Sequence, residues 1–149
     1  MNSLDTNLLL YAANVECDEH EAARQLVQQA AASPRDWIVA DQVYFELYRL
    51  VRSPAVLENP LKASDAWNLI DYYRHRTGWQ HCAYESSFMD DAASILGDEG
   101  FAARRTFDLV LALTLRRHGV RTLYTRNVTD FEALAWFHVV DPLAASSGA

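Results

Sequence analysis

Acidic side chains stand in apolar surroundings at four places in this sequence. Asp5 interrupts "SLDTNLLLYAA", Glu46 lies in "VYFELYRLV", and Asp108 opens "FDLVLALTL". The fourth place is "TRNVTDF", which carries Thr125, Asn127 and Asp130. Each residue has an ordinary task open to it. Asp5 can cap the helix that follows, and Glu46 can pair with Arg49 one turn on. Asp108 can complement a helix dipole or pair with Arg104 or Arg105. Asn127 suits a turn, and Asp130 suits the cap of "FEALAWF". Taken together they suggest more. Carboxylates gathered in one place repel, and each resists ionisation unless a positive charge intervenes. No lysine is near any of them in the chain. A hard divalent cation, Mg²⁺ or Mn²⁺, takes oxygen ligands and needs only one or two carboxylates directly. Such an ion polarises a phosphoryl oxygen and activates water near neutral pH, which is the chemistry of phosphodiester hydrolysis.

The elements that must position these residues are legible as an alternation. "MNSL" reads as a short strand ending at Asp5, with a helix after it. A helix over residues 18–32 is capped by Asp18, a strand covers 37–40, and a helix over 41–53 is capped by Asp41. On that helix Glu46 falls beside Val43, Leu47 and Leu50, the side expected to face inward. Ser64 caps a helix over 64–76, "WQHCA" reads as a strand, and residues 86–100 form another helix. The segment 105–119 is a strongly apolar helix, basic in its last turn and stopped by Gly119. Strands follow at 120–125 and 137–141. Strands alternating with helices predict an α/β fold, a short parallel sheet covered on both faces. Ligands in such folds collect beyond the carboxyl ends of the strands, where Asp5 and the "TRNVTD" loop lie.

With 149 residues, the chain suits one domain, expected over 1–143, with a loose tail at 144–149. Half of the residues are hydrophobic, which excludes a disordered chain, and no apolar run is long enough to cross a bilayer. The N-terminus lacks the pattern of a secretory signal, and Cys17 and Cys82 show no metal-ligand spacing, so a cytoplasmic location with reduced thiols is expected. The five histidines are scattered and show no ligand spacing either. The net charge of -7 opposes general binding of a phosphate backbone, although ions held at an acidic centre reverse the local field. Lys62 is the only lysine, and the other basic side chains are arginines, which suit bidentate phosphate contacts.

"LDTNLLLYA", the glutamate of "FELYRLVRSPAVLENPL", "FDLVLALTLRRHGV" and "LYTRNVTDF" occur in the order and spacing of PIN-domain ribonucleases. From Asp5 to about Pro142 the chain resembles the VapC toxins of bacterial type II toxin–antitoxin modules. The resemblance implies a three-layer α/β/α sandwich and a Mg²⁺- or Mn²⁺-dependent endoribonuclease. By position, Asp5 and Asp108 match the acids that ligate the metal, Glu46 the helix acid that completes the cluster, and Thr125 a hydroxyl at the site. Asn127 stands where many relatives have Asp, leaving Asp130 as the nearest carboxylate of that loop. Partners implied are a VapB-like antitoxin, an RNA substrate such as transfer or ribosomal RNA, and a second copy of the chain. Arg104, Arg105 and Arg126 are candidates for phosphate or antitoxin contacts. Two other readings compete. One is a PIN-fold binding module with a decayed site. The other is a haloacid-dehalogenase-like phosphatase, for which Asn7 and the distant Lys62 are poorly placed.

Overall fold

The structure, a computed structural model, describes residues 1–144. The tail expected over 144–149 therefore lies, from residue 145 on, outside the described residues. Five three-residue strands carry the fold: β1 (Asn2–Leu4), β2 (Ile38–Ala40), β3 (Gln80–Cys82), β4 (Thr122–Tyr124) and β5 (His138–Val140). All pair in parallel. Strand β4 lies between β1 and β5, β2 pairs with β3, and a bridge from Asn2 to Trp37 sets β1 beside the start of β2. The order across the molecule is β3-β2-β1-β4-β5. The chain thus winds outward one way from β1, then returns to continue on the other side. The point of reversal lies between β1 and β4, where α/β folds open a crevice at the carboxyl ends of the strands.

Among the described residues seven α-helices connect and cover the strands: α1 (Thr6–Ala13), α2 (His20–Ala32), α3 (Asp41–Val51), α4 (Ala63–His75), α5 (Met89–Leu96), α6 (Thr106–Arg117) and α7 (Val128–Glu132). The result is the expected α/β class with short parallel strands. The main core joins Leu4, Val39 and Leu123 of the strands to Leu8 and Leu9 of α1, Val43 and Leu47 of α3, and Leu111 and Leu115 of α6. In α6 five consecutive residues, Leu111 to Leu115, are buried, as its nearly all-round apolar sequence predicts. A smaller cluster of Ala92, Leu109 and Leu113 fixes α5 to α6, with Trp136 packed at its edge.

Helix ends match the sequence in part. Gly119 stops α6 in the left-handed region at φ +79°, as expected of a glycine after a basic last turn. Asp5 caps α1, its Oδ1 accepting the Thr6 N–H at 2.7 Å. Three expected caps fail. The helix expected from Asp18 begins at His20 with no side-chain cap, and α4 begins at Ala63 with none from Ser64. Asp41 lies inside α3, where the guanidinium of Arg74 on α4 draws its carboxylate away. A long-range ion pair has displaced the local capping bond. Residues 86–100 are not one helix: a 3-10 turn over Ser86–Phe88 leads into α5, which ends at Leu96. One non-glycine residue among those described adopts positive φ, Ala135 at 57°, just before Trp136.

Candidate active site

The ladder of parallel strands runs on into the two loops that carry the site. The Asp5 N–H donates to the Tyr124 carbonyl at 2.9 Å, and the Thr125 N–H to the Val140 carbonyl at 2.9 Å. Asp5 and Thr125 are therefore held side by side at the reversal point, each as the first residue beyond its strand. Both are buried. The Thr125 hydroxyl donates to Asp5 Oδ2 at 2.8 Å, so each oxygen of the carboxylate has a donor. Two such bonds favour the charged form, yet burial outweighs them and raises the Asp5 pKa to about 6. The charges of Asp108 and Glu46 push it in the same direction.

Asp108 projects from the first turn of α6, half-buried. Burial is the main cause of its raised pKa, followed by the charges of Asp130 and Glu46. Asn127 donates its side-chain amide to Asp108 Oδ2 at 3.0 Å, while its backbone N–H donates to the Thr125 hydroxyl at 2.9 Å. One residue of the loop after β4 thus orients one acid directly and the other through a threonine. On the opposite side, the Thr6 hydroxyl donates to Glu46 Oε2 at 2.9 Å. Asp5, Thr125, Asn127 and Asp108 form one continuous set of hydrogen bonds. Glu46 joins it through Thr6, whose N–H Asp5 already holds.

The donor set is all oxygen and carries excess negative charge, which suits a hard cation. Among the described residues no three His, Cys, Asp or Glu side chains meet closely enough to chelate an ion together. Such a ligand shell fits Mg²⁺ or Mn²⁺ holding one or two carboxylates and several waters, and does not fit an ion that demands full enclosure by protein. The residues present fit the group.

No sequence-family model matches the chain. A curated relative does. This chain is 37% identical to ribonuclease VapC24 of Mycobacterium tuberculosis over 145 residues, 97% of this chain and 99% of that protein. The chain belongs to the VapC ribonuclease family. Its fold is also similar to the crystal structure of Mycobacterium tuberculosis VapC20, described as a sarcin–ricin loop cleaving toxin. There the TM-score is 0.66 at 17% identity, covering 93% of this chain and 98% of that one. It is similar as well to a chain of VapBC2 from Rickettsia felis bound to a promoter DNA fragment, with a TM-score of 0.65 at 17% identity over 93% and 96% of the two chains.

Within this VapC chain the sequence expectations divide. Asp5, Asp108, Thr125 and Asn127 come together as described. Glu46 reaches the cluster, but not from a buried face: α3 buries Val43, Tyr44, Leu47 and Val51, and Glu46 is exposed. Its partner is Thr6 rather than Arg49. Asp130 caps nothing, because it lies inside α7. Its carboxylate accepts from Arg104 at 3.0 Å and stands 3.3 Å from Arg105 Nε, while Arg105 also donates to its carbonyl at 2.6 Å. Arg104 above all holds the Asp130 pKa below the usual carboxylate range. The arginines considered as partners of Asp108 therefore serve Asp130. Arg126 pairs with Asp141 at 3.3 Å. Thr6 was missed as a site residue, although its place directly after Asp5 in "LDTN" is the signal that could have found it.

Proposed function

We propose that this chain is a Mg²⁺- or Mn²⁺-dependent endoribonuclease and the toxin of a type II toxin–antitoxin module. The observation that carries the reading is Asp5, buried at the reversal point of the sheet with its pKa raised to about 6 by desolvation and by two further acids. A chain keeps such an unfavourable group only where another interaction offsets its cost. A bound divalent ion supplies that charge, polarises a phosphoryl oxygen and lowers the pKa of water. Asp5 and Asp108 would hold the ion. Thr125 and Asn127 fix the two carboxylates so that neither reorients as RNA enters, and Thr6 fixes Glu46 as the group available to accept a proton. Asp130, neutralised by Arg104 and Arg105, acts as their anchor rather than as a ligand. That arrangement sets two guanidinium groups beside the acidic centre, where they can meet phosphates despite the net charge of -7.

A protein partner is the second part of the reading. The solved relatives include a toxin–antitoxin complex from Klebsiella pneumoniae. In this chain Phe45 on α3 and Trp67 on α4 are 74% and 57% exposed and line a cavity of about 250 Å³ between the two helices. An antitoxin segment or a second copy of the chain would cover that apolar surface.

Expression of the chain alone is expected to arrest growth and generate new RNA 5′ ends, and Asp108→Asn to abolish both. Arrest that persists unchanged in the folded variant, without RNA cleavage, would overturn the ribonuclease reading. Rescue by a co-expressed small antitoxin from a neighbouring reading frame would support the second part, and failure of every such partner to bind would overturn it.

A further inference from the structure

We propose that the groove between α5, α6 and the turn that follows α7 is a specificity pocket. It would receive an unpaired base of the RNA substrate a few nucleotides from the point of cleavage. The proposal rests on the nuclease reading and adds a site to it. Two cavities of about 450 and 430 Å³ lie end to end there, sharing Ser94, Ile95 and Trp136 as walls. Each is large enough for a nucleotide. The second reaches Arg105, the same side chain that pairs with Asp130, so this end of the groove opens beside the acidic centre.

The walls pair arginines with aromatic rings. The Arg116 guanidinium lies 4.4 Å from the centre of the Trp136 ring, and that of Arg105 lies 5.6 Å from the Phe101 ring. Arg117 is held by Asp91 and lies over Phe88. Arg116 differs from the other two. It is exposed and makes no ion pair among the described residues, and it lies over the Trp136 ring. A guanidinium seated over a ring can offer its outer side to a base, a stacking surface used in recognition of single-stranded RNA.

Charge decides between a base and a phosphate backbone as the occupant. Asp90, Asp91 and Asp98 line the same cavities as Arg105, Arg116 and Arg117, so the formal charges cancel. A neutral groove gives no general attraction for a backbone, whereas carboxylates and the Ser94 hydroxyl accept from the donor edge of a base. Guanine, with two donor groups on its Watson–Crick edge, suits these acceptors best. The backbone adds an independent sign. Ala135, held at φ 57°, turns the chain immediately before Trp136. That conformation is costly for alanine, and such costs concentrate where a side chain must be aimed.

The test is the affinity of the full chain for a short fluorescein-labelled single-stranded RNA, read by anisotropy in chelator so that no cleavage occurs. KM and kcat for cleavage of the same RNA are then measured with Mn²⁺. Arg116→Ala, an exposed substitution, is expected to weaken binding about tenfold and to raise KM with little change in kcat. Trp136→Leu should act likewise if it folds, and Arg24→Ala on α2 should do nothing. Replacing the guanines of the RNA by adenine should weaken binding by the parent chain and leave the Arg116→Ala variant insensitive. A folded Arg116→Ala variant that binds and cleaves like its parent overturns the pocket while leaving the nuclease reading intact. A parent chain that neither binds nor cleaves RNA overturns both. Loss of antitoxin binding in Arg116→Ala with RNA affinity unchanged also overturns it, by giving the groove to a protein.

Discussion

Asp5→Asn is expected to lower RNA cleavage by more than about a hundredfold and, at pH 7, to make the metal-free protein more stable. Loss of a ligand should exceed the 10- to 100-fold cost typical of losing a group that only orients one. The gain in stability follows from the same burial. Raising the Asp5 pKa from 3.8 to about 6 means that its charged form costs the native state about 3 kcal/mol. Asparagine has nearly the same shape and no charge to desolvate. Its carbonyl can accept the Thr6 N–H, and its amide can donate to the Thr125 hydroxyl once that group turns. Part of the benefit is lost in that exchange, so a rise of about 1 to 3 kcal/mol is expected from urea unfolding. An ordinary structural cap behaves oppositely: removing its charge costs stability and leaves cleavage alone. A variant less stable than its parent, with full activity, would assign Asp5 to capping only.

The pH dependence of the metal-free protein is the second large effect. The folded-state pKa of Asp5 lies above its unfolded value, so between about pH 4 and pH 6 the native state keeps a proton that the unfolded chain has released. The stabilisation from protonated Asp5 is therefore fully present below the unfolded pKa and is lost as pH rises through about 6. Asp108, also raised, acts in the same direction. Asp130, lowered by Arg104, acts in the opposite one and loses its contribution as pH falls through its folded value. Its ion pair with Arg104 is largely exposed on the arginine side, so solvent screening keeps that opposing effect small. Unfolding free energy in chelator should thus fall by about 2 kcal/mol between about pH 4.5 and pH 7. In Asp5→Asn most of that slope should vanish. Mn²⁺ added at pH 7 should restore stability to the parent, because a ligand that binds only the native state stabilises it. Stability that rises through the same interval would show that Asp5 ionises freely in the folded chain.

Much of this arrangement was legible before any coordinates. A carboxylate directly after the first strand has few purposes, and the polar loop after β4 leaves its strand in the same way. Parallel connectivity then places them at one edge. The nearly unbroken apolar sequence of α6 made its burial plain, and with it the oddity of Asp108. What escaped were the consequences of contacts between residues far apart in the chain. Glu46 is set on the inner face by grouping Leu50 with Val43 and Leu47, whereas the core takes Val43, Tyr44, Leu47 and Val51. Phe45 stays 74% exposed, a position that no periodicity distinguishes from core. Asp41 lost its capping role to Arg74, and Asp130 its own to Arg104 and Arg105. Local rules describe what a side chain does when nothing distant competes for it. The bond from Thr125 to Asp5 joins residues 120 positions apart, and no spacing within either segment announces it.

Calorimetric titration of Mn²⁺ into the full chain at pH 7 bears most directly on whether these acids form one centre. The parent is expected to bind the ion, and both Asp5→Asn and Asp108→Asn to lose most of that binding while remaining folded. Mn²⁺ binding of unchanged strength in the two variants would mean that the carboxylates are neighbours without a common task.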